Sequence, residues 1–144
     1  MEVRRSPELE QLGRDSRAAA DAKNDDWFRA NTASGEIVMA GTAPGETAHG
    51  VDEVFHTSLE EMHKAHAAVG MRHEAGEQEA YEAGDSGFIV SEGKFVFDDG
   101  SHIPTRSVTV AARDSDGWKM IGQFFAVTPT DDFVVAGSPI TIPA

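Results

Sequence analysis

The chain has 144 residues, 40% of them hydrophobic and 26% charged, the make-up of one globular domain rather than a disordered chain. Twenty-five Asp and Glu against twelve Lys and Arg give a net charge of −13, which disfavours nucleic acid and anionic membrane as partners. With no cysteine, disulfides, thiolate zinc sites, iron–sulfur clusters and thiol catalysis are excluded.

The opening Met1-Glu2-Val3-Arg4-Arg5-Ser6-Pro7 lacks the apolar core of a secretory signal. No run approaches the ~20 apolar residues of a membrane span, and the cytoplasm is the expected compartment. Residues 1–34 read as helical. Ser6 suits an N-cap, Pro7 the first turn, and Glu8 and Glu10 the positive end of the helix dipole. Asn24-Asp25-Asp26 breaks that helix and caps a short second one carrying Trp27 and Phe28. Residues 36–40 form a short apolar strand, and Gly41 to Glu46 have loop chemistry. A third helix is predicted over about 51–68. On a 100° wheel Val51, Phe55, Leu59, Met62 and Val69 form one apolar stripe.

From residue 71 the period becomes two. Strands are predicted over 71–83, 87–97, 103–113 and 118–127, joined by turns at Gly84-Asp85, Asp98-Asp99-Gly100 and Asp114-Ser115-Asp116-Gly117. They make an antiparallel meander, so helices first and sheet second give an α+β layout. The last strand is apolar on both sides: Trp118, Met120, Phe124 and Ala126 alternate with Ile121, Phe125 and Val127. Such a strand is covered twice. The helices are one cover; a second copy in a homodimer is the expected other, with the tail as the alternative. Residues 1–128 are expected to form the single domain, and 129–144, with three Pro and two Asp, an irregular tail.

"EIVMAGTAPGETAHG" (36–50) and "GDSGFIVSEGKFVFDDGSHIPTRSVTVAARDSDGWKMIGQFFAV" (84–127) carry a resemblance. Over about residues 10–128 the layout resembles the SnoaL-like branch of the nuclear-transport-factor-2-like superfamily, which also holds ketosteroid isomerases. The resemblance implies a cone: a strongly bent sheet wrapped around a long helix, with a pocket at the open end and frequent dimers through the outer sheet face. Members include isomerases, polyketide cyclases, dehydratases, epoxide hydrolases and proteins without catalysis, so fold alone does not give the reaction. The steroid-isomerase machinery does not carry over. Its base position falls at Gly41, its acidic donor at or near Thr109 and its tyrosine near Arg17. A His-Phe-Ser stretch frequent in the last strand is here Phe124-Phe125-Ala126, which implies a greasier pocket or a site without chemistry.

His66 falls inside the apolar helix stripe, where a half-buried imidazole serves as general acid or base, or as a core residue with one hydrogen bond. Arg106 shares a strand face with Val108 and Val110; it stabilises developing negative charge or braces the loop by pairing with an acid such as Glu46. Glu46 itself is a pocket-mouth acid or a turn acceptor. Trp27, Phe55, Leu59, Met62 and Phe124 are the expected pocket walls, and Tyr81, the one tyrosine, joins them as a ligand-contact candidate. His56, Glu60 and His63 share a helix face at metal-ligand spacing, but away from the stripe, and no metal is expected. The turn acids lack calcium-loop spacing. With no P-loop, GxGxxG or G-x-S-x-G motif, no cofactor is expected. Two functions follow: a pocket protein for a small apolar or aromatic molecule, either a binder or a cofactor-free isomerase, cyclase, dehydratase or hydrolase acting through His66 and Arg106, or a non-catalytic ligand-binding or accessory protein using a homodimeric sheet face.

Overall fold

Ser6 starts the first helix and ties it to the sheet. Its side chain accepts from the Leu9 amide at 3.3 Å as the N-cap and donates to the Glu82 carboxylate at 2.8 Å. Arg4 donates to the other Glu82 oxygen, and these two bonds hold the carboxyl below the usual range for glutamate. In the computed structural model, which describes residues 1–42, 44–55 and 60–127 without the side chains at 61, 62 and 65, Arg4–Arg5 form a two-residue strand, β1, on the edge of the sheet.

Helix α1 spans Pro7–Asp21 and buries Leu9, Leu12, Ala19 and Ala20. Asn24 caps α2, Asp25–Asn31, by accepting from the Trp27 amide at 3.1 Å. Strands β2 (Val38–Ala40) and β3 (Thr47–His49) form a small antiparallel pair. The predicted third helix is described as α3, Gly50–Asp52, and α4, Glu60–Ala68. Four long strands follow: β4 (Met71–Ala83), β5 (Ser86–Phe97), β6 (His102–Asp114) and β7 (Gly117–Val127). The hairpin turns need positive φ, which Gly100 and Gly117 supply at 86° and 109°.

The seven strands run in the order β1-β4-β5-β6-β7-β2-β3. All pairs are antiparallel except β2 with β7, so the expected meander becomes a mixed sheet. Strand β3 has no counterpart in the sequence pattern; three residues with only Ala48 buried carry too short an alternation to read. Two bulges bend the sheet. One adds a residue to β4 between Ala75 and Gln78; the other leaves Ile121 of β7 unpaired between Met120 and Gly122.

Helix α1 lies on the inner sheet face. Leu9, Leu12, Ala19, Ala20 and Phe28 pack there against Ala80, Ile89, Ala111 and Met120. A smaller cluster of Ile37, Ala48 and Val54 closes the β2–β3 side. Among the described residues, no helix is long and apolar enough to cross a membrane. The expected tail of 129–144 lies outside the described residues.

Candidate functional site

The space between α1 and the inner sheet face is not filled. A cavity of about 120 Å³ remains. Gly13, Ser16, Arg17 and Ala20 line it from α1, at spacings of three and four that place them on one helix face. His73, Ala75 and Gln78 line it from β4; the bulge at Gly76-Glu77 keeps His73 and Gln78 on the same face despite their odd separation. Thr105, Ser107 and Thr109 enter from β6, Gln123 and Phe125 from β7. Phe28, Met39, Val54 and Phe55 supply the apolar wall, with Phe28 and Phe55 stacked at 5.0 Å.

Hydroxyls and amides dominate the sheet side. Gln123 Nε2 donates to Thr109 Oγ1 at 3.0 Å, and His73 Nε2 lies 2.9 Å from Thr105 Oγ1. His73 Nδ1 and Gln78 Oε1 are buried without a partner among the described residues. Each such group costs about 1–3 kcal/mol while unsatisfied. Both side chains rest over a glycine. A Cβ on Gly93 would stand 2.6 Å from His73 Cε1, and one on Gly13 would collide with the Gln78 amide. Glycine mid-strand and mid-helix is unfavourable by propensity, and here each makes room for an inward polar group. Burial, followed by the charge of Arg17, pushes the His73 imidazole down to about 4.

Beside the cavity lies a cleft of about 400 Å³ that shares Arg17, His73 and Phe125 with it. His63 and His66 of α4 line this cleft, and the His66 ring packs edge-on against Phe95 at 4.8 Å. Burial lowers both imidazoles as well, reinforced at His66 by His63 and Arg17 and at His63 by Lys23 and Arg17. All three histidines are therefore neutral at pH 7, each able to donate or accept a hydrogen bond. Arg17 is held by Asp21, one turn on, through Nε at 3.3 Å and Nη2 at 2.9 Å.

The residues predicted from sequence separate. Phe55 lines the cavity and His66 the cleft. Arg106 does share a face with Val108 and Val110, but that face is the outer one: its side chain is 64% exposed and bonded to Glu92 at 3.2 Å. It stands away from His66 and outside the cavity, so the expected pairing of the two is corrected. Phe124 also points outward, 50% exposed, because the extra residue at Ile121 reverses the alternation of β7 and turns Gln123 and Phe125 inward instead. The wall expected to be greasy is consequently more polar. Tyr81 lies on the outside too, donating to Glu79 at 3.0 Å and stacked near Phe88. Trp27 packs edge-on to Phe28 at 5.2 Å, beside the helical core rather than on the cavity. Glu46 folds over Gly41 in the exposed β2–β3 turn. Leu59, the Met62 side chain and His56 lie outside the described residues.

Sequence reasoning missed His73, Gln78, Thr105 and Ser107 as site residues. The alternation of Thr105, Ser107 and Thr109 with Arg106, Val108 and Val110 was legible, but not which set faces inward. Among the described residues, no group of three or more His, Asp or Glu is placed to hold a metal ion.

No protein-family profile matches the chain, and no curated protein does. Solved structures match closely in shape. A nuclear-transport-factor-2-like protein with a cystatin-like fold from Novosphingobium aromaticivorans superposes with a TM-score of 0.68 at 17% identity, covering 92% of this chain and 82% of that one. A nuclear-transport-factor-2-like protein of unknown function from Pseudomonas putida gives 0.66 at 16%, covering 96% of this chain and 100% of the other. A candidate ketosteroid isomerase from Shewanella frigidimarina gives 0.60 at 18%, covering 76% and 86%. At such identities the likeness establishes the fold and not the activity.

Proposed function

On the premise of this nuclear-transport-factor-2-like cone, we propose that the chain is a small-molecule-pocket protein. Its ligand is about one ring in size, with an apolar body and at least one hydrogen-bonding group. One observation carries the proposal: a cavity lined on one side by aromatic and aliphatic side chains and on the other by His73, Gln78, Thr105 and Thr109, two of them with buried atoms that have no partner among the described residues. The interior of about 120 Å³ is somewhat smaller than the ~150 Å³ that hold a benzene ring, so even a one-ring ligand reaches toward the neighbouring cleft and a steroid is too large. The ligand class shifts accordingly, from a largely apolar molecule to an amphipathic one.

Acid–base work in this pocket falls to the imidazoles. His73 inside and His66 in the cleft are neutral at pH 7 and can each take up one proton. In an enzymatic setting that is cofactor-free proton transfer of the isomerase, cyclase, dehydratase or hydrolase type. Benzyl alcohol is a suitable probe, having one ring and one hydroxyl. It is expected to bind with millimolar or better affinity in a calorimetric titration. Ser107→Leu, which fills the cavity from β6, is expected to abolish binding while the thermal transition remains cooperative. Binding that survives Ser107→Leu contradicts the pocket assignment.

A second feature supports a homodimer. Phe88, Val108, Val110, Ile121 and Phe124 are all more than a third exposed on the outer sheet face, a contiguous apolar surface with nothing over it among the described residues. We propose that a second copy covers it. Native mass spectrometry is expected to give a dimer for the parent and a monomer for Phe124→Glu; a monomeric parent rejects the interface.

A further inference from the structure

The cleft beside the cavity departs from the charge of the rest of the chain. Acidic residues outnumber basic ones by 25 to 12 overall. Among the described residues the cleft is lined by Arg17, Arg72 and three histidines against a single carboxylate, Asp21. Building on the pocket reading above, we infer that the ligand carries a carboxylate and that Arg17 anchors it from the cleft while the ligand's body occupies the cavity.

Position singles out Arg17 over Arg72. Arg17 lines both the cavity and the cleft, whereas Arg72 lines only the cleft and is bonded to Glu74 at 3.0 Å. Arg17 is on the same face of α1 as Gly13, Ser16 and Ala20, so its side chain borders both spaces. It is 24% exposed, enough for a ligand to reach and little enough for water to screen it weakly. Asp21 takes Nε and Nη2 on one carboxylate oxygen and fixes the fork. No hydrogen bond of Nη1 is found among the described residues, and a guanidinium offers five donors, so donors remain for a second carboxylate.

The surroundings suit a single negative charge. His63 Nε2 is buried without a partner among the described residues. His63, His66 and His73 are neutral but can donate hydrogen bonds to an anion. A phosphate dianion fits less well, because Asp21 lines the same cleft and opposes a second charge. A planar carboxylate matches the guanidinium fork.

The test compares benzoate with benzyl alcohol, which share the ring and differ in charge, at pH 7 and low ionic strength. The parent protein is expected to bind benzoate at least tenfold more tightly. Arg17→Gln is expected to remove that preference, bringing the affinities for the two compounds within threefold of each other. The variant is expected to fold, since Arg17 and Asp21 are an i,i+4 pair within one helix and a glutamine keeps helix propensity there. Asp21→Asn removes the opposing charge and is expected to tighten benzoate severalfold, a gain that a damaged fold does not produce. Equal affinity for the two compounds, or a benzoate preference that survives Arg17→Gln, overturns the inference alone. Failure of both compounds to bind the parent overturns the pocket reading and the inference with it.

Discussion

Replacing His73 with phenylalanine is expected to stabilise the protein progressively, relative to the parent, as the pH falls from 7.5 to 4.5. At pH 7.5 the phenyl ring fills the same space over Gly93 and against Phe95, but the buried Thr105 hydroxyl loses its partner at 2.9 Å. Removing the unpartnered Nδ1 of His73 offsets that loss, so the two proteins are expected to lie within about 1 kcal/mol of each other at this pH. At lower pH the variant gains on the parent. An unfolded chain protonates its histidine below about 6.5, whereas the folded His73 resists until about 4. The unfolded state binds more protons throughout that window, so stability is full above 6.5, falls as the pH is lowered and levels off near 4. The shift corresponds to about 3 kcal/mol before solvent screening, and about 2 kcal/mol after a discount for partial exposure. The variant, with no imidazole at this position, carries no such penalty. Urea unfolding at pH 7.5, 6.0 and 4.5 reads the effect directly. Carboxylates such as Glu82 titrate in both proteins and cancel in the difference. Parallel curves over this range contradict the burial of His73.

Leu9→Ala is expected to cost about 3 kcal/mol, because deleting buried leucine atoms loses transfer energy and leaves a cavity. Leu9 is 0% exposed and stands where α1 meets β5, so close that a Cβ on Gly87 would strike its Cδ1. Helix and strand are both pinned here, one by the Ser6 cap and the other by pairing on two sides, so the gap has little freedom to collapse. Domains of this size hold about 5–15 kcal/mol in total. The variant is therefore expected to be marginal, and its benzyl alcohol affinity to fall because α1 carries one wall of the cavity. Chemical unfolding checks the magnitude, and a loss under 1 kcal/mol contradicts the packing described.

Much of the fold is legible because local chemistry and tertiary need agree. Ser6, Pro7 and Asn24 begin helices where the sequence places them, and the glycine turns set the four long hairpin strands within a residue or so of their predicted bounds. The site is less legible, for two physical reasons. An alternating strand declares two faces but not which one is covered. Val108 and Val110 look like core and are outside, whereas Thr105 and Thr109 look like surface and are buried. A cone lined with hydroxyls and wrapped in an apolar outer face inverts the usual pattern. The second reason is the bulges. One unpaired residue at Ile121 exchanges Phe124 for Phe125 on the inner face, and an extra residue near Gly76 brings Gln78 into line with His73. Neither is visible as a break in hydrophobic period. The first effect misplaces Arg106 and the second Phe124, whereas Phe55 and His66 come from the helical side, where the stripe places these two inward but also includes Val69, which is 59% exposed.

The central claim is that the interior of the cone, and not its outer face, takes a small ring-bearing molecule. Intermolecular NOEs from benzyl alcohol ring protons to methyl-labelled protein test this most directly. Contacts to Met39, Val54 and the methyls of Thr105 and Thr109 are predicted, since all four line the cavity. Contacts confined to Val108 and Val110, whose methyls lie on the outer face, would contradict it.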